Sequence, residues 1–193
     1  VLNKTLRLFL DSVGRRDEYE FYLRSFRSDR SPCFAILLLE PAGMDSVVEA
    51  FAFDLQFLLR LELFPLVVVT GREGAAFARV LSGLPAPVAP YRMPGRPGES
   101  AWDQALPGGQ RHLREARESH RIPLLVCPEA DRLQVLRALV PEVARRVHVI
   151  RVRGALRGGD GRPRSFYTLL RERTEELEPE DRALVADADR LLD

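Results

Sequence analysis

The chain has 193 residues, of which 46% are hydrophobic and 30% charged, and its formal net charge is +1. This length suits one compact domain, and the composition argues against an intrinsically disordered or membrane-embedded chain. The longest apolar runs, Phe34 to Leu39 and Phe64 to Val69, are too short to span a bilayer. Because Arg7 and Asp11 interrupt the apolar pattern near the start, that segment differs from a secretory signal and we expect a cytoplasmic protein.

Two amphipathic helices are predicted within residues 1–30. Apolar residues at helical spacing run up to Gly14 and repeat after Asp17, a candidate N-cap. These apolar stripes contain Leu6, Phe9, Val13, Tyr22, Leu23 and Phe26. Because the first of these stripes, with Leu6, Phe9 and Val13, precedes the first predicted strand and need not join the core, we expect the two helices to form the interface of a homo-oligomer. The alternative is that both helices fold back onto their own domain.

Residues 31–193 are predicted to form one domain in which strands alternate with helices. The predicted strands are Cys33–Leu39, Leu66–Thr70, Ile122–Cys127 and Val147–Val152, and the predicted helices are about Asp45–Arg60, Gly74–Leu81, Gln110–His120, Asp131–Val140 and Glu180–Leu192. Ser46 and Glu49 have the spacing of a capping box. Unbroken apolar strands are typical of a parallel sheet covered on both faces, so the expected fold is a three-layer α/β/α sandwich.

One segment of this domain is predicted to be a long loop or lid. Eleven of the 27 residues between 83 and 109 are Gly or Pro, which disfavours regular structure. Trp102, the only tryptophan, lies inside it. We therefore expect part of this segment to return to the body of the domain and bury the indole ring.

The order of these elements resembles that of a known family. The quoted stretches are "YLRSF", "FAILLLEP", "FAFDLQFLLRLELFPLVVVTG", "RIPLLVCP" and "RVHVIRVRGALRGGDGRPRSFYTL". Together they are similar to the amino-acid-kinase domain of N-acetylglutamate kinases and synthases, in the synthase-like branch. The resemblance implies an α/β/α sandwich whose active members phosphorylate the carboxylate of N-acetylglutamate with ATP, in arginine biosynthesis. It also implies that a helix bearing a Tyr-Leu-x-x-Phe pattern joins subunits, which supports the interface expected at Tyr22, Leu23 and Phe26.

The family's catalytic motifs are degenerate in this chain. At the positions of the kinase motif Lys-x-Gly-Gly the chain has Leu38, Glu40 and Pro41, and its only lysine is Lys4. The resemblance places the catalytic aspartate at Asp131, and it places a nucleotide contact at Val152, where the chain has no carboxylate. Phosphoryl transfer depends on positioned cations, so these replacements predict the loss of kinase activity. The alternative for Asp131 is that it caps the following helix.

The second family motif, His-Gly-x-Gly-Pro, corresponds here to "TGREG". Gly71 and Gly74 could open a nest of backbone amides at a helix N-terminus, and Arg72 could add a positive charge, which makes the three a candidate anion site. An ordinary turn between strand and helix is the alternative. No cofactor or metal is expected, because His112, His120 and His148 lack the spacing of a zinc helix. Cys33 and Cys127 have no Cys-x-x-Cys partner, so we expect buried free thiols.

Three functions are consistent with these features. The first is a catalytically degenerate domain that regulates or oligomerises, with a second copy or an acetyltransferase domain or subunit as its partner. The second is a residual enzyme that acts on an acylated amino acid or a phosphate ester through Arg72 and Asp131. The third is an arginine-rich nucleic-acid binder using Arg111–Arg121 and Arg145–Arg164, which the interleaved acidic residues and the near-zero net charge disfavour.

Overall fold

The computed structural model describes residues 32–85, 87–140, 142–144, 146–154, 156–157, 160–162 and 177–192. The two predicted N-terminal helices, and with them the whole predicted interface, lie outside these residues. The chain divides into two compact units, one ending at Arg151 and the other beginning at Val152. Every strand of the described sheet belongs to the first unit.

A five-stranded parallel sheet forms the centre of the first unit. Its strands are β1 (Ile36–Leu39), β2 (Leu66–Thr70), β3 (Val88–Arg92), β4 (Ile122–Cys127) and β5 (Val147–Ile150). Their order across the sheet is β3-β4-β2-β1-β5, and each neighbouring pair is parallel. Each of the four predicted strands contains one of these strands, and helices lie on both sides of the sheet. The predicted parallel α/β sandwich is therefore confirmed.

Helices connect the strands and cover both faces of the sheet. The first unit contains α1 (Val48–Arg60), α2 (Gly71–Gly83), α3 (Ser100–Glu118) and α4 (Arg132–Leu139). Apolar residues of α1 and α2 pack against one set of alternating strand residues, among them Val67, Val69, Leu124 and Val126. α1 and α2 each lead to a strand nearer the β3 edge of the sheet, whereas α3 and α4 each lead to a strand nearer the β5 edge. Because such crossovers are right-handed, α3 and α4 lie on the opposite face of the sheet. Among the described residues, no helix is both long and apolar enough to cross a membrane.

The start of α1 differs from the predicted capping box. A 3₁₀ turn occupies Met44–Val47, and α1 itself begins at Val48. The Ser46 hydroxyl donates to the Gly43 carbonyl oxygen at 2.7 Å, while the residue that caps α1, Val47, makes no side-chain cap bond. The capping-box prediction is wrong because the hydroxyl of Ser46 bonds inside the preceding turn.

The prediction of a long loop over residues 83–109 is also wrong, because this segment contains β3 and the first half of α3. One of its glycines, Gly108, serves close packing. A Cβ atom placed on Gly108, in the middle of α3, would overlap the Tyr91 hydroxyl oxygen. That hydroxyl donates to the Ala105 carbonyl oxygen at 3.1 Å, so the ring lies directly against the helix backbone. Trp102 is 1% exposed, which confirms that the indole ring is buried.

The second unit contains α5 (Pro179–Leu192), which confirms the helix predicted at Glu180–Leu192 and begins one residue earlier, at the proline. Arg153 forms ion pairs with Glu178 and Glu180 at the start of this helix. The Asp181 carboxylate is fully buried and accepts a hydrogen bond from the backbone N–H of Arg157 at 2.5 Å. Carboxylates in the first turn also complement the helix dipole, so these contacts stabilise the N-terminus of α5.

We predict opposite effects of alanine at the two adjacent glycines of α3. Gly108→Ala should lower the free energy of unfolding by about 1–3 kcal/mol, because its methyl group displaces the Tyr91 ring. At Gly109 the nearest atom to an added Cβ is a Tyr91 ring carbon at 3.6 Å, which is ordinary contact. Gly109→Ala should therefore be neutral or raise stability by up to about 1 kcal/mol through helix propensity. Urea unfolding measures both, and equal effects would contradict the packing argument.

Candidate functional site

The connections from β2 and β4 diverge at the carboxyl edge of the sheet. These two strands are neighbours, but α2 follows β2 on one face whereas α4 follows β4 on the other. Where adjacent connections leave toward opposite faces, a crevice opens outside the carboxyl ends of the strands. Ligands of parallel α/β sheets bind in such crevices, so this point is the first place to look for a site.

A cleft of about 530 Å³ occupies this position. We call it the carboxyl-edge cleft. Three segments of the chain form most of its wall, and each follows a different strand: Leu38–Pro41 from β1, Thr70–Gly71 from β2 and Pro128–Arg132 from β4. Arg96 and Gln134 complete the lining. The parallel sheet thus brings together three segments that lie as much as 94 residues apart in sequence (132 − 38).

The three positions at which the chain resembles the motif Lys-x-Gly-Gly, at the end of β1 and directly after it, all line the cleft, but none of them offers a cation. Leu38 is 1% exposed and pairs with Val68 and Val149 in the sheet. Glu40, directly after the strand, accepts a hydrogen bond from Arg132 at 3.0 Å, in an ion pair across the cleft. Pro41 supplies no backbone N–H.

The cleft contains charged side chains of both signs and has no net positive charge. Its two cations are Arg96 and Arg132, and its three carboxylates are Glu40, Glu129 and Asp131, which gives a formal sum of −1. Arg96 is already engaged, since its Nε donates to the Glu129 carbonyl oxygen at 2.9 Å. The lining therefore lacks the excess of positive charge that would attract a nucleoside triphosphate.

Asp131 acts as the N-cap of α4. Its carboxylate accepts a hydrogen bond from the backbone N–H of Gln134 at 2.9 Å, and its own backbone is extended. This is the usual geometry of a capping aspartate. The capping alternative is thereby confirmed.

The three residues of the candidate anion site have separate positions. Gly71 lines the cleft and begins α2 with a φ of 70°. Gly74 is buried, and a Cβ there would lie 3.0 Å from the Val69 Cβ, so this glycine allows α2 to approach β2 closely. Arg72 is exposed and does not line the cleft. The structure therefore brings only Gly71 of the three to this cleft.

The charged residues Arg96, Glu129 and Arg132 were not singled out as site residues from the sequence. Arg132 directly follows the capping aspartate, and that position at the start of a helix after a strand was the one available signal. Arg96 lies in the segment that was predicted to be a loop. The predicted nucleotide-contact position, Val152, belongs to the second unit and is 46% exposed.

The cysteines and histidines have structural surroundings. Burial raises the pKa of the Cys33 and Cys127 thiols from 9.0 to about 12, which leaves both protonated at neutral pH. The Nε2 atom of His112 lies 2.8 Å from the Ala89 carbonyl oxygen. Within the described part of the chain, no three His, Cys, Asp or Glu side chains lie close enough together to hold a metal ion.

No protein-family model matches this sequence, and no curated protein is detectably similar to it. The residues of the cleft must therefore carry the functional argument.

The capping role of Asp131 can be tested with two substitutions. Asp131→Ala should lower the free energy of unfolding by about 1 kcal/mol, because the N-terminal amides of α4 lose their acceptor. Asp131→Asn should change it by only a few tenths of a kcal/mol, because the amide oxygen still accepts the Gln134 N–H. Chemical denaturation measures both variants. If asparagine proved as destabilising as alanine, the charge of Asp131 would have a role beyond capping.

Proposed function

We propose that this chain is a catalytically inactive amino-acid-kinase-like domain that acts in the cytoplasm as a regulatory or oligomerising unit related to arginine biosynthesis. One observation carries the proposal. The three segments at which the sequence resembles the kinase motifs, at Leu38–Pro41, Thr70–Gly71 and Asp131, line a single cleft. The resemblance in sequence and the position of these segments at one edge of the sheet together support an ancestral site there.

The chemistry of this cleft supports the loss of catalysis. Phosphoryl transfer requires cations that stabilise the charge on the moving phosphoryl group. The motif lysine is replaced by the buried Leu38, and the adjacent Glu40 carboxylate neutralises Arg132. Asp131 is committed to the start of α4. Glu40, Arg132 and Asp131 therefore each have a structural partner in place of a substrate.

A role in assembly follows from the apolar stripes on the predicted N-terminal helices. Phe9, Tyr22 and Phe26 are large side chains on segments that precede the first strand. A second copy of the chain, or an acetyltransferase domain or subunit, would bury them. Such an interface would leave the domain useful after its chemistry had been lost.

The two other functions have less support. A residual enzyme would use Arg72 and Asp131 together, but Arg72 does not line the carboxyl-edge cleft and Asp131 caps α4. A nucleic-acid binder would use Arg111 and Arg114, which are exposed on α3. Glu115 and Glu118 are interleaved with them and are also exposed, so this surface is not uniformly basic.

The absence of nucleotide chemistry is directly testable. Titration of the intact chain with ATP and Mg²⁺ should give no saturable heat in the micromolar range, and N-acetylglutamate should not be phosphorylated. Glu40→Gln serves as the informative variant, because it removes a carboxylate from the cleft and the ion pair that this carboxylate forms with Arg132. If this variant gained ATP binding, the cleft would still have the shape of a nucleotide site. Micromolar binding by the unaltered chain would overturn the proposal.

The assembly role is tested by light scattering. The intact chain should be an oligomer, and Phe9→Asp or Leu23→Asp should convert it to a folded monomer, because each places a charge in the predicted interface. Glu18→Lys, at a polar position of the second predicted helix, is the matched control and should leave the oligomer intact. A monomeric intact chain would refute the assembly role while leaving the prediction of absent kinase activity untouched.

A further inference from the structure

A second concave surface lies between α2 and β3. It is a groove of about 740 Å³, which we call the α2–β3 groove. Ala75, Ala78, Pro90 and Val126 supply its apolar lining, and Arg79 and Arg92 are its charged residues. Binding sites for small organic molecules have volumes of about 300–1,000 Å³, so this groove has a suitable size. None of its lining residues belongs to the carboxyl-edge cleft.

The groove exists because α2 covers only part of the face of β3. Val88 belongs to the core cluster beneath α1 and α2, whereas Pro90 and Arg92, the next two residues on the same face, are exposed. Within the described residues, β3 pairs with β4 alone. Ala75, Ala78 and Gly83 on α2 are too small to fill the space above the strand.

The charges of the groove are not compensated. Within the described part of the chain, the guanidinium groups of Arg79 and Arg92 make no hydrogen bond or ion pair, and no carboxylate lines the groove. Arg72 lies two turns before Arg79 on the same face of α2, and it too has no partner there. The carboxyl-edge cleft differs in this respect, because its Arg132 is paired with Glu40.

An added peptide strand is a poor fit for the exposed edge of β3. Pro90 has no N–H to donate to such a strand. The carbonyl oxygen of Val88, which faces the same edge as Pro90, is already contacted by Arg121. A ligand that rests on the side chains, and not on the backbone edge, suits this surface better.

We propose that the α2–β3 groove binds a small organic anion that carries two negative charges on a short apolar body. The guanidinium groups of Arg79 and Arg92 would pair with the carboxylate or phosphate oxygens in forked hydrogen bonds. The apolar body would lie on Ala75 and Pro90. The proposal does not depend on the proposed function, because the two surfaces share no residue.

The test uses two probes and the intact chain. Glutarate supplies two carboxylates, butyl phosphate supplies one doubly charged phosphate, and each is titrated while backbone amide chemical shifts are recorded. We expect saturable, millimolar binding of at least one probe with shifts in α2 and β3, and the probe that binds more tightly identifies the preferred anionic group. Inorganic phosphate, which has no apolar body, should bind more weakly than butyl phosphate.

Three variants assign the binding to the groove. Arg79→Gln and Arg92→Gln should each weaken binding about tenfold, because each removes one charge-assisted pairing. Ala75→Leu should abolish binding by filling the groove without changing its charge. Arg114→Gln is the matched control, since Arg114 is also exposed and without a partner among the described residues but lines neither described cavity.

Two results would overturn the proposal. The first is the absence of saturable binding of either probe. The second is binding that Arg114→Gln weakens as much as Arg79→Gln does, which would indicate attraction to surface charge in general. The glutamine variants replace exposed side chains and should fold, and a thermal unfolding curve for each one verifies this.

Discussion

Burial of β2 and β4 on both faces is the constraint on which the rest of the structure depends. Leu66–Val69 and Ile122–Cys127 are buried throughout, so helices must cover the sheet on each side. Because β2 and β4 are neighbours and their following helices lie on opposite faces, the two connections separate at the carboxyl edge. The cleft is therefore a consequence of the topology and does not require any particular catalytic residue.

This consequence explains why the cleft forms whichever side chains line it. The sheet positions Leu38, Glu40 and Asp131 whatever their side chains do. Leu38 contributes to the core, Glu40 joins the start of α4 through Arg132, and Asp131 caps that helix. Leu38 is apolar and the Glu40 carboxylate is paired with Arg132, so neither leaves an unpaired charge in this partly enclosed place, where burying one would be costly.

The sequence predicts the parts of the fold that local patterns determine. Unbroken apolar runs locate β1, β2, β4 and β5, and Pro179 marks the start of α5. The sequence-based prediction is wrong at β3 and at the first half of α3, which it assigned to a loop. The Pro and Gly residues there are accommodated by tertiary contacts that the local pattern does not show. Pro90 is tolerated in a strand that pairs with only one described neighbour, and Gly108 makes room for Tyr91.

The same distinction applies to the carboxyl-edge cleft. A capping role for Asp131 is readable locally, since its partner Gln134 is three residues away. The role of Arg132 is not, because Glu40 lies 92 residues earlier in the chain. Arg96 likewise bonds a carbonyl 33 residues away. Pairings at such distances are set by strand order, which the apolar runs alone do not specify.

The position of α2 links the two concave surfaces of the first unit. Gly71, at its first residue, lines the carboxyl-edge cleft, while Arg79, two turns later, lines the α2–β3 groove. Gly74 lies between them and holds the helix close to Val69, where a Cβ would be only 3.0 Å from the valine Cβ. A Cβ at 74 would require Val69 or α2 to shift by a few tenths of an ångström, and a shift of α2 would change both surfaces together. The close approach of helix and strand at Gly74 therefore contributes to the shape of both surfaces.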